Sequence, residues 1–293
     1  MKKTLLLFLL PLILVSCKEP IDIDVQEGPR LIGVEGAITD EMKRQEVILS
    51  YSAPFYSEGA REMISSAVVY VISDIDTVFF YEDTDNKGHY LTAEPYAAER
   101  CRVYRLYAEI PDEEDGVVCV SAESYMNDNV DHIDSLVLHP YVMNGTPLDD
   151  IIAIYPYFQS LNDPNIVYLT KITKNDTLVT DTLSKMQPIP IGGYAGYYIN
   201  GPLMQMFNME IPIGFFSRDK LRNGDDIRVD FYSIPMDYMT FITNVNSSVG
   251  SNPMMGAPSN VPTNISPQGR CVGWFYAASC VSAETTYLCD SMR

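Results

Sequence analysis

Cysteine is the residue type whose setting in this chain most narrows the chemistry. Leu14-Val15-Ser16-Cys17 ends an apolar run that begins at Leu5 and follows Lys2 and Lys3. A basic head, an apolar stretch too short to span a bilayer and a small residue before cysteine make a secretory signal. The four residues resemble a lipobox, in which the thiol is acylated and the cysteine becomes the first residue of the processed chain. Acyl chains on Cys17 would tether the protein to a membrane, since each buried CH₂ contributes about 0.8 kcal/mol. Residues 1–16 therefore read as a signal peptide and 17–28 as a lipidated linker. Within that linker, Lys18-Glu19-Pro20-Ile21-Asp22-Ile23-Asp24 resembles surface-export leaders and reads equally well as a solvated spacer.

The other cysteines, Cys101, Cys119, Cys271, Cys280 and Cys289, are odd in number, so one thiol is left over whatever pairs. Residues 102–110 and 117–124 read as hairpin arms around Pro111 to Asp115. With Ile110 opposite Gly116, Cys119 faces Tyr107 and Cys101 lies about 20 Å away along the strand, too far to bridge. Cys280 and Cys289 flank a turn expected at Glu284-Thr285, which makes them the candidate disulfide. No CxxC occurs and no Cys/His cluster has zinc spacing, so no metal or cofactor is predicted.

Acid–base and metal chemistry have few carriers. His89, His132 and His139 sit in no HExxH and near no GxSxG elbow. Asp131-His132-Ile133-Asp134 sets one imidazole among carboxylates and reads as a solvated connection. Asp83, Asp85, Gly88 and Glu94 match four positions of a calcium loop, but Lys87 stands at a ligand position and the flanks look like strands, so a hairpin turn is expected. Nothing predicts catalysis. The Asp-Ser/Thr-aliphatic triplets at Thr77, Ser135, Thr177, Thr182 and Ser291 suit O-glycosylation of an exported chain, or plain strand-edge turns.

Binding has better carriers. Tyr194, Tyr197 and Tyr198 lie in the glycine-rich stretch 192–201, where rings can stack on a sugar, a peptide or a protein partner, although core packing is the commoner place for any one of them. Asn260 and Asn264 lie in a proline-punctuated extended loop, suited to holding backbone groups and, secondarily, to touching a ligand.

These residues need a scaffold. Short β-like runs at 30–38, 45–52, 67–73, 77–82 and 89–93, with the hairpin, are separated by turn signals at sandwich spacing. They predict an immunoglobulin- or fibronectin-like β-sandwich over residues 29–130. A second β-rich lobe, 131–293, continues with runs at 134–138, 151–158, 166–172 and 227–232. One helix stands out there: Tyr238, Phe241, Ile242 and Val245 share a face after Ser233-Ile234-Pro235, with Asp237 at the positive end.

With 293 residues, 46% of them hydrophobic, the chain is long enough to bury a real core. Its formal net charge of -19 repels phosphate backbones and excludes a nucleic-acid binder.

The stretch Asn252 to Ile265, followed by Gly273-Trp274-Phe275-Tyr276-Ala277-Ala278-Ser279, resembles the C-terminal signature of a lipoprotein family known as domain of unknown function 4249. The lipobox, Val34-Glu35-Gly36-Ala37-Ile38-Thr39-Asp40, Ala67-Val68-Val69, Ile133-Asp134-Ser135-Leu136 and the helix containing Tyr238 agree with it. Pro267-Gln268-Gly269-Arg270 departs from a more glycine-rich turn. The resemblance implies an outer-membrane lipoprotein, facing the cell surface or the periplasm. It implies a non-enzymatic accessory of a TonB-dependent transporter or a captor of an unknown small ligand, with no catalytic residues. The alternative is a structural or adhesive surface protein.

Overall fold

A computed structural model describes residues 29–53, 61–112, 116–143, 145–249 and 261–289. The first strands are β1 (Ile32–Thr39), β2 (Glu46–Tyr51), β3 (Val68–Ile72), β4 (Thr77–Glu82), β5 (His89–Thr92), β6 (Val103–Asp112) and β7 (Gly116–Tyr125). Then come β8 (Ser135–Met143), β9 (Thr146–Gln159), β10 (Val167–Lys174), β11 (Thr177–Leu178), β12 (Pro188–Pro190) and β13 (Tyr198–Ile199). A short helix α1 (Pro202–Met206) precedes β14 (Gly214–Ser217) and β15 (Asp226–Ile234). The long helix α2 (Met236–Val249) and the final strand β16 (Cys271–Thr286) complete the described elements. The chain is mainly β, as its alternating runs predict.

One sheet runs β11-β10-β15-β16-β1-β2-β5-β4-β3-β6-β7, with β12 also on β10; a second is built on β9, which pairs with β8, β13 and β14. Strand β16 belongs to both halves of the molecule. Its first part lies parallel to β1, from Ile32 opposite Cys271 to Thr39 opposite Ala278. Its second part lies antiparallel to β15, from Ser233 opposite Ser279 to Asp226 opposite Thr286.

This strand corrects two expectations. The first half is not confined to residues 29–130, because Ile265, Cys271, Phe275 and Ala277 are buried in its core. Nor is there a turn at Glu284-Thr285: both are strand residues opposite Arg228 and Ile227. Cys280 therefore lies within a continuous strand and Cys289 beyond its end, and both are free thiols, as are Cys101, Cys119 and Cys271. An extended chain separates its ends at about 3.3 Å per residue, so two cysteines nine positions apart in such a run do not meet. The β6–β7 hairpin is also shifted in register: Asp112 faces Gly116, and Cys119 faces Glu109 instead of Tyr107.

In the first half the sheet curls until its ends meet, so that opposing faces close on Val34, Leu49, Val71, Leu106 and Phe275, all at most 1% exposed. The seam is a bridge between Ser121 and Ser266, with Ser121 N–H donating to Ser266 O at 3.0 Å and Ser266 N–H returning to Ser121 O at 2.7 Å. The Ala277 amide donates to Ser124 Oγ at 2.9 Å and draws β7 toward β16.

In the second half, layers pack on both faces of the sheet. The β9 sheet covers one face of β10, β15 and distal β16, enclosing Ile154, Phe158, Tyr168 and Phe231. Helix α2 covers the opposite face, as its apolar stripe predicts. Tyr238 stacks on Tyr276 with ring centroids 4.2 Å apart, and Phe241 meets Trp274 at 5.0 Å. Burial of each such ring contributes about 1.5–3 kcal/mol. The Asp237 carboxylate accepts the Tyr238 amide at 2.9 Å in the first turn, where an acid also favours the helix dipole. Among the described residues no helix is long and apolar enough to cross a membrane.

The halves are bolted together by Arg100. Its guanidinium reaches Asp40 at 2.7 Å and Asp128 at 3.4 Å and donates to the Cys280 carbonyl at 3.4 Å. Asp40 also accepts the Cys280 amide at 2.6 Å. Asn129, buried, donates to Phe231 O at 2.9 Å and Ser279 O at 3.1 Å, fixing the connection to β15 and β16.

Candidate functional site

The glycine-rich stretch 192–201 is held at the end of β9 by backbone bonds. Ser160 N–H donates to Tyr197 O at 2.9 Å, Gly196 N–H to Leu161 O at 3.0 Å and Tyr197 N–H to Tyr194 O at 2.9 Å. The Gln159 side chain donates to Gly196 O at 2.8 Å. Gly192 fits only as glycine, since a Cβ there would lie 1.7 Å from Pro164 O. Asn200, with no exposed surface, ties this loop to the next. Its Nδ2 donates to Pro156 O at 2.8 Å and to Ile211 O at 3.1 Å, and its Oδ1 accepts the Ile211 amide at 2.6 Å.

This fixed backbone leaves apolar side chains in water. Tyr194 turns in and packs on the second core, whereas Tyr197 and Tyr198 are 49% and 40% exposed. Beside them α1 and the following turn expose Leu203, Met206, Phe207 and Met209, Phe207 at 60%; only Met204 of α1 is buried. The segment is joined to the outer face of β9, where Gln205 donates to Tyr157 Oη at 3.0 Å. Sequence reasoning missed these four residues. The available signal was Leu203-Met204-Gln205-Met206-Phe207-Asn208-Met209, too many apolar residues for a helix of five residues to bury.

Tyr198 meets another candidate segment. Its hydroxyl donates to Asp134 Oδ2 at 2.6 Å, and His132 Nε2 lies 2.6 Å from Asp134 Oδ1. The Tyr198 hydroxyl, then His132, lower the Asp134 pKa, and the same carboxylate pushes Tyr198 up to about 12. The phenol thus keeps its proton near neutrality. The chain of three groups lies on the open surface and holds the loop to the connection at residues 131–134.

Asn264 is structural. Its Nδ2 donates to Phe275 O at 2.7 Å and Glu123 O at 3.2 Å, and its Oδ1 accepts the Phe275 amide at 3.1 Å. With amide and carbonyl both engaged, it holds backbone groups, the first of the two roles its loop suggested. Cys17 and Asn260 lie outside the described residues.

Residues 83–88 form the β4–β5 turn. Asp83 accepts from the Asp85 amide at 3.1 Å and from Asn86 Nδ2 at 2.9 Å, so the carboxylate serves the turn itself. Among the described residues no three His, Cys, Asp or Glu side chains converge as ligands of one metal ion. His89 pairs with Glu46 at 2.7 Å, and His139 stacks on Tyr155 with centroids 4.0 Å apart. Thr77, Ser135, Thr177 and Thr182 are all exposed, while Ser291 lies outside the described residues.

No curated protein matches this chain. A family model does, that of Domain of unknown function (DUF4249), over residues 18–284. That span takes in both halves, the shared strand β16 as far as Glu284 and the loop surface around Tyr198, and the chain belongs to the DUF4249 family.

Proposed function

We propose that the protein is an outer-membrane lipoprotein, anchored through Cys17, that acts without catalysis as an accessory of a TonB-dependent transporter. The observation that carries this reading is the surface of Tyr197, Tyr198, Leu203, Met206, Phe207 and Met209 on a backbone fixed by Asn200. Interface cores are enriched in Tyr, Phe and Met. A segment ordered before contact loses little entropy on binding. The lipid tether would keep this surface near an integral membrane partner and leave the acidic body in water.

A second reading, a structural or adhesive surface protein, is favoured by the outer face of β3 and β4, where Val68, Phe79 and Tyr81 are 50%, 49% and 58% exposed. The test is a pull-down of the natively lipidated protein from detergent-solubilised outer membranes. Stoichiometric recovery of a TonB-dependent receptor supports the transporter reading. Recovery of the lipoprotein alone, under conditions that keep known receptor complexes intact, overturns it and leaves the adhesive one.

A further inference from the structure

The outer face of β3, β4 and β6 carries a row of rings. Phe79 stands opposite Tyr70 and Tyr70 opposite Tyr107, with centroids 5.7 and 5.4 Å apart. Two residues along the strands, Val68 stands opposite Glu109, and Glu109 opposite Cys119 on β7. Side chains two apart on a strand point the same way, so all of these share one face. Val68, Phe79 and Tyr81 are half-exposed on it.

Glu109 lacks a cation. Among the described residues no basic side chain pairs with it. Arg105, four residues back on the same face of β6, lies about 13 Å away along the strand and is held by Glu123 at 2.6 Å. The Tyr70 hydroxyl lies against Glu109 instead. Burial, then that carboxylate, raises the Tyr70 pKa, so the phenol keeps its proton near neutrality.

Elsewhere in this chain a carboxylate beside a tyrosine is filled from within. The Arg30 guanidinium lies 3.5 Å from the Tyr51 ring centroid and pairs with Glu62. Lys43 stands 5.8 Å from the Tyr232 ring centroid and pairs with Glu41, which also accepts the Tyr232 hydroxyl at 3.0 Å. Asp134, bonded to Tyr198, takes His132 at 2.6 Å, and Glu210, beside Tyr157, takes the Gln205 amide at 3.5 Å. Tyr70 and Glu109 repeat the arrangement on an open face without such a donor. A ring and a carboxylate together suit a guanidinium, which stacks flat on the one and donates two parallel hydrogen bonds to the other. The formal net charge of -19 draws cationic segments toward the chain and repels anionic surfaces.

We infer that this face docks an extended, arginine-bearing segment of a partner protein, with one guanidinium paired to Glu109 and stacked on the rings of Tyr70 and Tyr107. Val68, Phe79 and Tyr81 then cover the apolar flank of the segment, rings and arginine being the groups that anchor interfaces. The inference does not depend on the transporter reading, which rests on a surface in the other half of the molecule.

The full-length protein is titrated with the peptide acetyl-Thr-Arg-Thr-Arg-Thr-amide, whose arginines share one side when it is extended. Maleimide labelling of Cys119, next to Glu109, is mapped by peptide mass, with the exposed thiols Cys101 and Cys289 as references. Cys119 alone should be protected, by about tenfold at a peptide concentration ten times the Kd, where about one site in ten is free. Glu109→Gln should weaken binding about fivefold, the worth of a good exposed ion pair. The peptide with lysine in place of arginine should bind more weakly, because an ammonium neither stacks flat nor bonds bidentately. Equal labelling of the three cysteines with and without peptide, unchanged affinity in Glu109→Gln, or equal binding of the lysine peptide overturns the inference. Protection of Cys119 by raised protein concentration without peptide overturns it too, and assigns the face to a second copy of the chain.

Discussion

The two halves of the molecule use the same pair of devices to opposite ends. In the first half Asn264 grips Phe275 and Glu123, and Gly273, at φ +97°, lets β16 approach β1 so closely that a Cβ would lie 2.0 Å from Val34 O. In the second, Asn200 grips Pro156 and Ile211, and Gly192 lets the tyrosine loop approach Pro164. The first pair closes a core, and what it brings together, Ile265 and Phe275, has no exposed surface. The second pair holds Tyr197, Met206 and Phe207 out in solvent. Order without burial gains nothing for folding, and the partner contact proposed above would give it a use.

The comparison breaks most decisively at its glycines. Gly273→Ala places a methyl on the Val34 carbonyl at a positive φ and should cost about 4 kcal/mol or more, enough to abolish folding in a marginally stable domain. Gly192→Ala should cost about 2 kcal/mol, because the clash is confined to a surface loop. Hydrogen exchange should then rise across 192–211 while the strands stay protected. Equal global unfolding by the two variants would show that the tyrosine loop is part of the core.

Next come the asparagines. Asn200→Ala strands the buried Pro156 carbonyl and the partly buried amide and carbonyl of Ile211 and should lower urea stability by about 3 kcal/mol; Asn264→Ala, at a half-exposed site, should lower it by about 1–2 kcal/mol. A reversed order would mean that the seam of the first half is the weaker closure.

Acid should act on the second half through Asp225. Its carboxyl is held at about 2, below the ordinary 3.8, by the Asn175 amide, the Arg222 backbone N–H and Lys174. A group whose folded pKa is depressed stabilises above its unfolded value, so this contribution is full above about pH 4 and disappears as pH falls toward about 2. Asp225→Asn should therefore lower the melting temperature near neutrality and flatten its decline between those two values. An unchanged acid slope in the variant would remove Asp225 from the account.

The smallest effect on stability belongs to the exposed side chains. Met206→Ser with Phe207→Ser should shift urea stability by no more than about 0.5 kcal/mol. Recovery of a receptor should fall by more than about tenfold, as on loss of interface anchors. Unaltered recovery would move the contact surface elsewhere.

Local pattern made much of this legible. The alternation of Val68 to Ile72, the Asp83 to Gly88 turn and the stripe of Tyr238, Phe241 and Ile242 each specify an element with short-range partners. Tyr194, Tyr197 and Tyr198 stood out as rings in a glycine-rich segment, but the sequence favoured the core for any one of them; the structure leaves Tyr197 and Tyr198 exposed. The exposed run from Leu203 to Met209 did not, because apolar composition alone does not distinguish a buried helix from one standing in water.

What the sequence determined by itself is therefore the β character and the place of the helix. Only the tertiary structure decided that β16 serves both halves. Ile32 and Cys271 pair in parallel from opposite ends of the chain, and parallel pairing across such a separation leaves no local signal. It likewise decided which asparagine closes the seam and which carboxylate takes which cation. Asp230 faces Lys171 yet bonds Arg228, a choice made by side-chain geometry at three strands that meet only after the chain has folded.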